Sequence, residues 1–168
     1  MKTRKIHTWT LILLFSPLIL AALLVFSPFI AFIALKELFY GLRLRRSFYA
    51  KWGIEGRFAL FVYSNSPKWQ AYVKEQIIPK IAQYTVTLNW SKRADWKTEM
   101  PLEAKIFKHF KHRGEGKELP LAIILLRWRR LRVVGFYKAF KEHNRGNDNL
   151  LEQQEDRLYH LIEKKVNK

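Results

Sequence analysis

The fold is decided by residues 58–67, which read FALFVYSNSP. The run from Phe58 to Tyr63 is almost wholly apolar, as is typical of a short strand buried on both faces of a sheet. Ser66 can then cap a helix, and Pro67 can occupy its first turn, where no backbone donor is needed. These residues predict a strand, a tight turn and a helix in direct succession.

Helical periodicity continues downstream of this turn. Its apolar positions are Trp69, Tyr72, Val73, Ile77 and Ile81. Pro79 lies near the end of this helix and predicts an interruption or kink, because proline removes a backbone donor. Residues 85–90 are rich in β-branched side chains and predict a second strand, which a polar loop over 91–101 follows.

The C-terminal half predicts a short helix over 102–110, a charged loop, two strands over 121–126 and 131–137, and a last helix from Asn149. The two strands must be antiparallel, because the turn between them is far too short for a parallel crossover. Asn149 with Glu152 resembles a capping pair at the start of a helix with a broad apolar stripe. The predicted order of elements is β-α-β-α-β-β-α.

This order resembles the thioredoxin fold, a small α/β sandwich, over about residues 57–165. The turn Ser64–Pro67 lies where that family carries its redox motif, and Pro79 resembles the kinking proline of the following helix. Pro120 stands directly before the third strand, where the family has a proline that follows a cis peptide bond and faces the redox site. Another small α/β sandwich, such as a ferredoxin-like fold, is the alternative.

The chain departs from the thioredoxin family in its chemistry. Ser64, Asn65, Ser66 and Pro67 stand in place of Cys-x-x-Cys, and the sequence contains no cysteine. Thiol–disulfide exchange needs a thiolate nucleophile. The resemblance therefore implies a redox-inactive member that binds or holds partners, with a candidate cleft where these four residues and Pro120 meet.

Residues 11–35 predict a single-pass transmembrane helix. They contain no Asp, Glu, Lys, Arg, His, Asn or Gln, and as a helix they would exceed the roughly 30 Å hydrocarbon core. Two pairs, Ser16-Pro17 and Ser27-Pro28, predict one or two kinks, in which serine hydroxyls can satisfy the carbonyls that proline leaves without a donor. A cleaved signal peptide or a buried core helix is the alternative.

Three regions follow: an N-terminal flank and anchor over 1–35, a basic and aromatic juxtamembrane segment over 36–56, and a soluble α/β domain over 57–168. Basic residues flank both ends of the anchor, and the C-terminal flank has slightly more of them, so the positive-inside rule favours a cytoplasmic domain. In the juxtamembrane segment, Arg43, Arg45 and Arg46 alternate with aromatic residues and could reach headgroup phosphates. A solvated linker is the alternative.

The predicted turn after the third strand is strongly basic. Its charged and aromatic residues are Arg127, Trp128, Arg129, Arg130 and Arg132. The whole chain has a net charge of +17, so anionic headgroups or an acidic protein are expected partners. Nucleic acid is a less favoured partner, because no recognition motif is present. An ordinary solvated turn is the alternative.

Catalytic motifs are absent from the sequence, and His109 with His112 lacks further ligands for a metal. We expect neither a cofactor nor a metal. The expected function is a non-catalytic, membrane-anchored interaction or assembly module, whose partners are the bilayer and another membrane-associated protein. The alternatives are direct nucleic-acid or lipid binding through the basic turn, and a membrane-surface hydrolase or transferase that uses Ser64 or Ser66.

Overall fold

A computed structural model describes residues 3–96, 99–114, 118–126 and 130–167, without the side chains of 3–15 and 18–23. The helices are α1 (Thr3–Trp52), α2 (Gln70–Tyr72), α3 (Ile78–Ile81), α4 (Leu102–Phe110), α5 (Tyr137–His143) and α6 (Asn149–Val166). The strands are β1 (Ala59–Tyr63), β2 (Thr85–Asn89), β3 (Leu121–Leu125) and β4 (Leu131–Gly135). The chain is thus a mixed α/β protein with a long N-terminal helix.

The four strands form one mixed sheet in the order β2-β1-β3-β4. β1 is parallel to β2, whereas β3 is antiparallel to both β1 and β4, which confirms the predicted hairpin. Val62 pairs with Leu121, so Pro120 lies beside the C-terminal end of β1, and the Leu119-Pro120 peptide bond is cis. The Ser64–Pro67 loop and the β3–β4 turn therefore lie at opposite ends of the sheet.

Each face of the sheet carries its own core. One face is covered by α4 and the last turns of α1, where Leu44, Phe48 and Trp52 are buried at four-residue spacing. The other face is covered by residues 70–81, α5 and α6. The alternating side chains of β1 serve both cores, because Leu60 and Val62 point to the first and Ala59 and Phe61 to the second. The strand is thus buried on both sides, as its apolar run predicts.

The helix over residues 70–81 is not a regular α-helix. A π turn over Val73–Ile77 joins α2 to α3, and Pro79 is the second residue of α3. Because proline has no backbone donor and crowds the preceding turn, it favours such a local adjustment. The predicted interruption at Pro79 is therefore present as a π turn.

Two predicted boundaries near the C-terminal half are wrong. β4 ends at Gly135 rather than at residue 137, because Phe136 is buried and its carbonyl accepts from Phe140 N at 2.9 Å, which starts α5. The predicted polar stretch after residue 141 is also helical up to His143. In addition, Trp90–Asp95 forms a 3₁₀ helix where the sequence predicts a strand end and loop.

Leu24–Trp52 is the one described stretch long and apolar enough to cross a membrane by length and composition, with a mean hydropathy of 1.5. Its large apolar side chains from Leu24 to Leu35 are exposed, whereas Phe48 and Trp52 belong to the core. Ser27 Oγ donates to Leu24 O at 3.4 Å. That carbonyl is the one that Pro28 leaves without a backbone donor, so the serine acts as the sequence predicts.

The chain divides into two compact units between Tyr40 and Gly41. The second unit therefore begins inside the predicted juxtamembrane segment, and α1 supplies its first residues. Phe48 is fully buried there, whereas Phe39 in the first unit is 65% exposed. The two phenylalanines allow the same substitution to be compared inside and outside the folded core.

We expect Phe48→Ala to lower the free energy of unfolding by about 3–5 kcal/mol, because it removes a buried ring and leaves a cavity. Phe39→Ala, the matched control, should change it by less than about 0.5 kcal/mol. Both values come from denaturant unfolding of the full chain in mild detergent. Equal effects of the two substitutions would contradict the inclusion of the last turns of α1 in the core.

A buried carboxylate joins α6 to residues 70–81. Glu155 is 8% exposed and accepts from Tyr159 Oη at 3.2 Å, while Lys80 Nζ lies 3.9 Å from it. Burial and then the hydrogen bond to Glu155 raise the pKa of Tyr72 to about 12, from an ordinary 10.0. Burial and the charge of Glu155 also raise the pKa of Tyr159. Both phenols therefore stabilise the fold as proton donors.

The stability of the protein should fall as the pH rises from about 10 to 12. Below pH 10 the Tyr72 phenol is protonated in both states, and above it the unfolded state loses the proton first. Tyr72→Phe should make this fall shallower, whereas Tyr137→Phe, at a tyrosine that is 37% exposed, should leave it unchanged. Denaturant unfolding at a series of pH values measures the slope; identical slopes in all three proteins would refute the prediction.

Candidate binding surface and the Ser64–Pro67 loop

Two side chains of α1 hold the start and end of the β3–β4 turn. Arg45 Nη2 donates to Leu126 O and, at 3.1 Å, to Arg130 O, while Tyr49 Oη donates to Leu125 O. Leu126 N also bonds Arg130 O at 3.0 Å. Arg45 is only 9% exposed, so its guanidinium is directed into the protein. The turn is therefore fixed to α1 by side-chain donors on backbone acceptors.

The other arginines of the predicted contact set differ from Arg45. Arg43 and Arg46 are exposed on α1, and Arg130 and Arg132 are exposed at the start of β4. Arg127, Trp128 and Arg129 lie outside the described residues. The contact of these side chains with a partner stays a prediction. Arg45 belongs to the same predicted set, but its guanidinium bonds the backbone of the β3–β4 turn.

The segment after α4 adds an arginine that sequence reasoning missed. Gly114 packs so closely on β4 that a Cβ there would lie 2.3 Å from Val133 Cβ. The preceding Arg113 is exposed, lies over the Phe110 ring at 5.2 Å and interacts electrostatically with Arg45. This places Arg113 beside the β3–β4 turn. The signal in the sequence was a basic stretch, 104–114, without any acidic residue.

We name the exposed arginines at the β3–β4 end of the sheet the basic corner. They are Arg43, Arg46, Arg113, Arg130 and Arg132. They come from three stretches that contain no Asp or Glu, residues 38–54, 104–114 and 119–141. Arg132 belongs to the face opposite α1, because its neighbours Leu131 and Val133 pack against the core on the α1 side. Like charges on neighbouring elements raise the local positive potential, which attracts anions. The basic corner thus contributes five exposed positive charges to the described surface.

The Ser64–Pro67 loop is held at the opposite end of the sheet by a network of amides. Asn65 Oδ1 accepts from Asn89 Nδ2 at 2.7 Å and from Gln70 Nε2 at 3.2 Å, and Asn65 N donates to Ser91 Oγ at 2.9 Å. Ser91 N in turn donates to Asn89 Oδ1 at 3.0 Å. The network joins the end of β1 to the end of β2. Its polar groups therefore satisfy one another across the loop.

Ser66, one of the two serines of this loop, does not make the predicted side-chain cap. α2 begins at Gln70, its N-cap is Trp69 without a side-chain capping bond, and Ser66 contributes its carbonyl, which accepts from Gln70 N at 2.9 Å. The predicted side-chain cap is thus replaced by a backbone turn, because Pro67 and two further residues precede the helix. Ser64, Pro67 and Pro120 all lie at this end of the sheet, as expected from the register.

Asn89 belongs to an Asn-Trp-Ser glycosylation sequon, but its side chain is hydrogen-bonded within the protein. Its Nδ2 donates to Asn65 and its Oδ1 accepts from Ser91 N. Glycosylation would replace a proton on that nitrogen with a sugar and break the network. The side chain is therefore engaged in fixing the loop.

The two histidines of the α4 region point to separate surroundings. His109 is half-buried, and a Cβ at Gly41 would lie 2.6 Å from its Nε2, so the absence of a side chain at Gly41 allows α1 and α4 to approach here. His112 is exposed in the following 3₁₀ turn. In the part of the chain that the structure describes, no group of three potential ligands could hold a metal.

No protein-family model matches the chain, and no curated protein or solved structure is significantly similar to it. The features of the chain that bear on its function are the apolar stretch of α1, the basic corner and the closed amide network of the loop.

Replacing Arg45 by methionine should lower the free energy of unfolding by about 1–3 kcal/mol, because the carbonyl of residue 126 loses its side-chain donor and that of residue 130 keeps only the bond from Leu126 N. Arg46→Met removes the same charge from the exposed neighbour and should change it by less than about 0.5 kcal/mol. Denaturant unfolding of the full chain in detergent compares them. A destabilisation by Arg46→Met as large as that by Arg45→Met would contradict the hydrogen-bonding role.

Proposed function

We propose that this protein is a single-pass, membrane-anchored interaction module without catalytic activity, whose folded unit binds an anionic partner through the basic corner. The observation that carries the proposal is the combination of the apolar stretch in α1 with that corner on one short chain. An anchor confines the folded unit to the bilayer surface, so a modest electrostatic attraction is enough to hold a partner that is concentrated there.

The proposed anchor is supported by exposure and by backbone satisfaction. The apolar side chains of Leu24–Leu35 have no protein to cover them within the described residues, so lipid is the solvent that fits them. The Ser27 hydroxyl satisfies the carbonyl that Pro28 leaves free, which matters most where no water is present. On the positive-inside count we propose a cytoplasmic location for the folded unit.

We further propose that the folded unit has a thioredoxin-like fold and no redox activity. Support comes from the strand order β2-β1-β3-β4 with β3 antiparallel to its neighbours, and from the position of Pro120 beside the end of β1. Asn65 and Asn89 bind each other where that family places its redox motif. A thiol reaction is impossible without cysteine, so this end of the sheet serves to hold the loop.

Extraction of cell membranes at alkaline pH tests the anchor. The wild-type chain should stay in the membrane pellet at its full mass. Val25→Asp with Ile30→Asp should move it to the soluble fraction, because each charge costs about 2.5–3.5 kcal/mol at the centre of a transmembrane helix. The control is Ile54→Asp with Val166→Asp, the same substitutions at two exposed positions outside the proposed span.

The control should remain in the pellet. Release of the wild-type chain by alkali would refute the anchor, and recovery of a chain shortened at its N-terminus would identify a cleaved signal sequence instead. Either result would overturn the proposed function.

A further inference from the structure

We propose that the basic corner binds the anionic phospholipid headgroups of the bilayer that holds its own α1. This inference rests on the proposed function and names its partner. These headgroups have in common a phosphodiester, which a planar guanidinium can bind through two parallel N–H donors.

The first support is that the corner lacks internal partners. Lys51, Arg57, Lys80, Lys105 and Arg145 each lie within 4.0 Å of a carboxylate oxygen. By contrast, none of the five arginines of the basic corner has an ion pair within the described part of the chain. Five cations elsewhere on this unit are thus partly neutralised, whereas no member of the corner is, so all five of its arginines can meet an external anion.

The second support is the position of the corner along the chain. Arg43 and Arg46 follow Leu35, the last residue of the uncharged run, by only eight and eleven residues. Anionic lipid attracts basic residues that immediately follow a transmembrane helix, and the attraction falls off within a Debye length of about 10 Å. Headgroups are therefore the anions that these two arginines encounter at the highest concentration.

The third support is the fixed backbone beneath the corner. Arg45 and Tyr49 bond the carbonyls on both sides of the β3–β4 turn, and Gly114 packs directly on Val133. The positions of Arg113, Arg130 and Arg132 are thereby set relative to α1 within the same unit. A fixed set of cations loses less conformational entropy on binding than the same residues on a flexible linker would.

Quenching by headgroup-labelled lipid tests the proposal. The chain has no cysteine, so His112→Cys creates a single labelling position beside Arg113, and Gln153→Cys on α6 provides a matched exposed position on the other side of the sheet. The labelled full chain is reconstituted into vesicles of phosphatidylcholine, or of phosphatidylcholine with about one-quarter phosphatidylglycerol. Both vesicles contain the same amount of phosphatidylcholine with a nitroxide on its headgroup.

We expect the dye at position 112 to be quenched at least about twofold more strongly in the anionic vesicles, and the difference to disappear at about 0.5 M salt. The dye at position 153 should show no such dependence. Equal quenching at position 112 in both vesicles would overturn the inference and leave an acidic protein as the partner of the basic corner.

Two charge variants with the same loss of five cations complete the test. The first replaces each arginine of the basic corner by glutamine. The second does the same for five exposed lysines elsewhere, Lys68, Lys74, Lys138, Lys141 and Lys164. The first variant should abolish the effect of anionic lipid, and the second should retain it. Both should have unfolding midpoints close to that of the wild type. An equal loss in both variants would show that the effect depends on net charge alone and would refute a defined site.

Flotation with pure phosphatidylcholine vesicles distinguishes a failure of the membrane anchor from a failure of headgroup binding. The anchor alone should carry the chain to the top of the gradient, whatever the lipid charge. A chain that floats but shows no dependence on anionic lipid contradicts only the headgroup inference. A chain that fails to float contradicts the proposed function and the inference together.

Discussion

The burial of Phe48 between the sheet and α4 is the interaction on which the other features of the folded unit depend. It brings the last turns of α1 onto one face of the sheet, and thereby brings Arg45 and Tyr49 to the carbonyls of the β3–β4 turn. Polar donors in such a place would be costly without acceptors. Apolar packing therefore sets the position, and hydrogen bonds then fix the turn that carries much of the basic corner.

The two ends of the sheet also differ in their charged and polar side chains. Glu155 of α6 lies 3.9 Å from Lys80 Nζ and also accepts from the Tyr159 phenol. The β3–β4 turn, with the arginines of the basic corner, lies at the opposite end of the sheet from the Ser64–Pro67 loop. One end is thus closed by amides that bind each other, while the other presents five arginines without an ion pair among the described residues. This division is what favours binding over chemistry in the proposed function.

Much of the fold could be predicted from local patterns. The apolar run before Ser64 identified a two-sided strand, and the short connection after residue 126 identified a hairpin. The pattern failed where tertiary contacts decide the outcome: α5 is a helix of only seven residues, and Ser66 offers its carbonyl because Trp69 takes the cap position. Arg45 looked like its neighbours Arg43 and Arg46, since only the fold shows which of three adjacent cations points inward. Arg113 was missed because its neighbour, β4, is remote in sequence.

Amide hydrogen exchange of the full chain in a lipid nanodisc tests most directly whether α1 serves both the bilayer and the folded core. Amides of residues 24–35 should be protected by lipid, and those of residues 44–52 should exchange as slowly as the amides of β1 and β3, because they open only with global unfolding. Fast exchange over residues 44–52, with β1 and β3 still protected, would show a flexible linker and contradict the central claim.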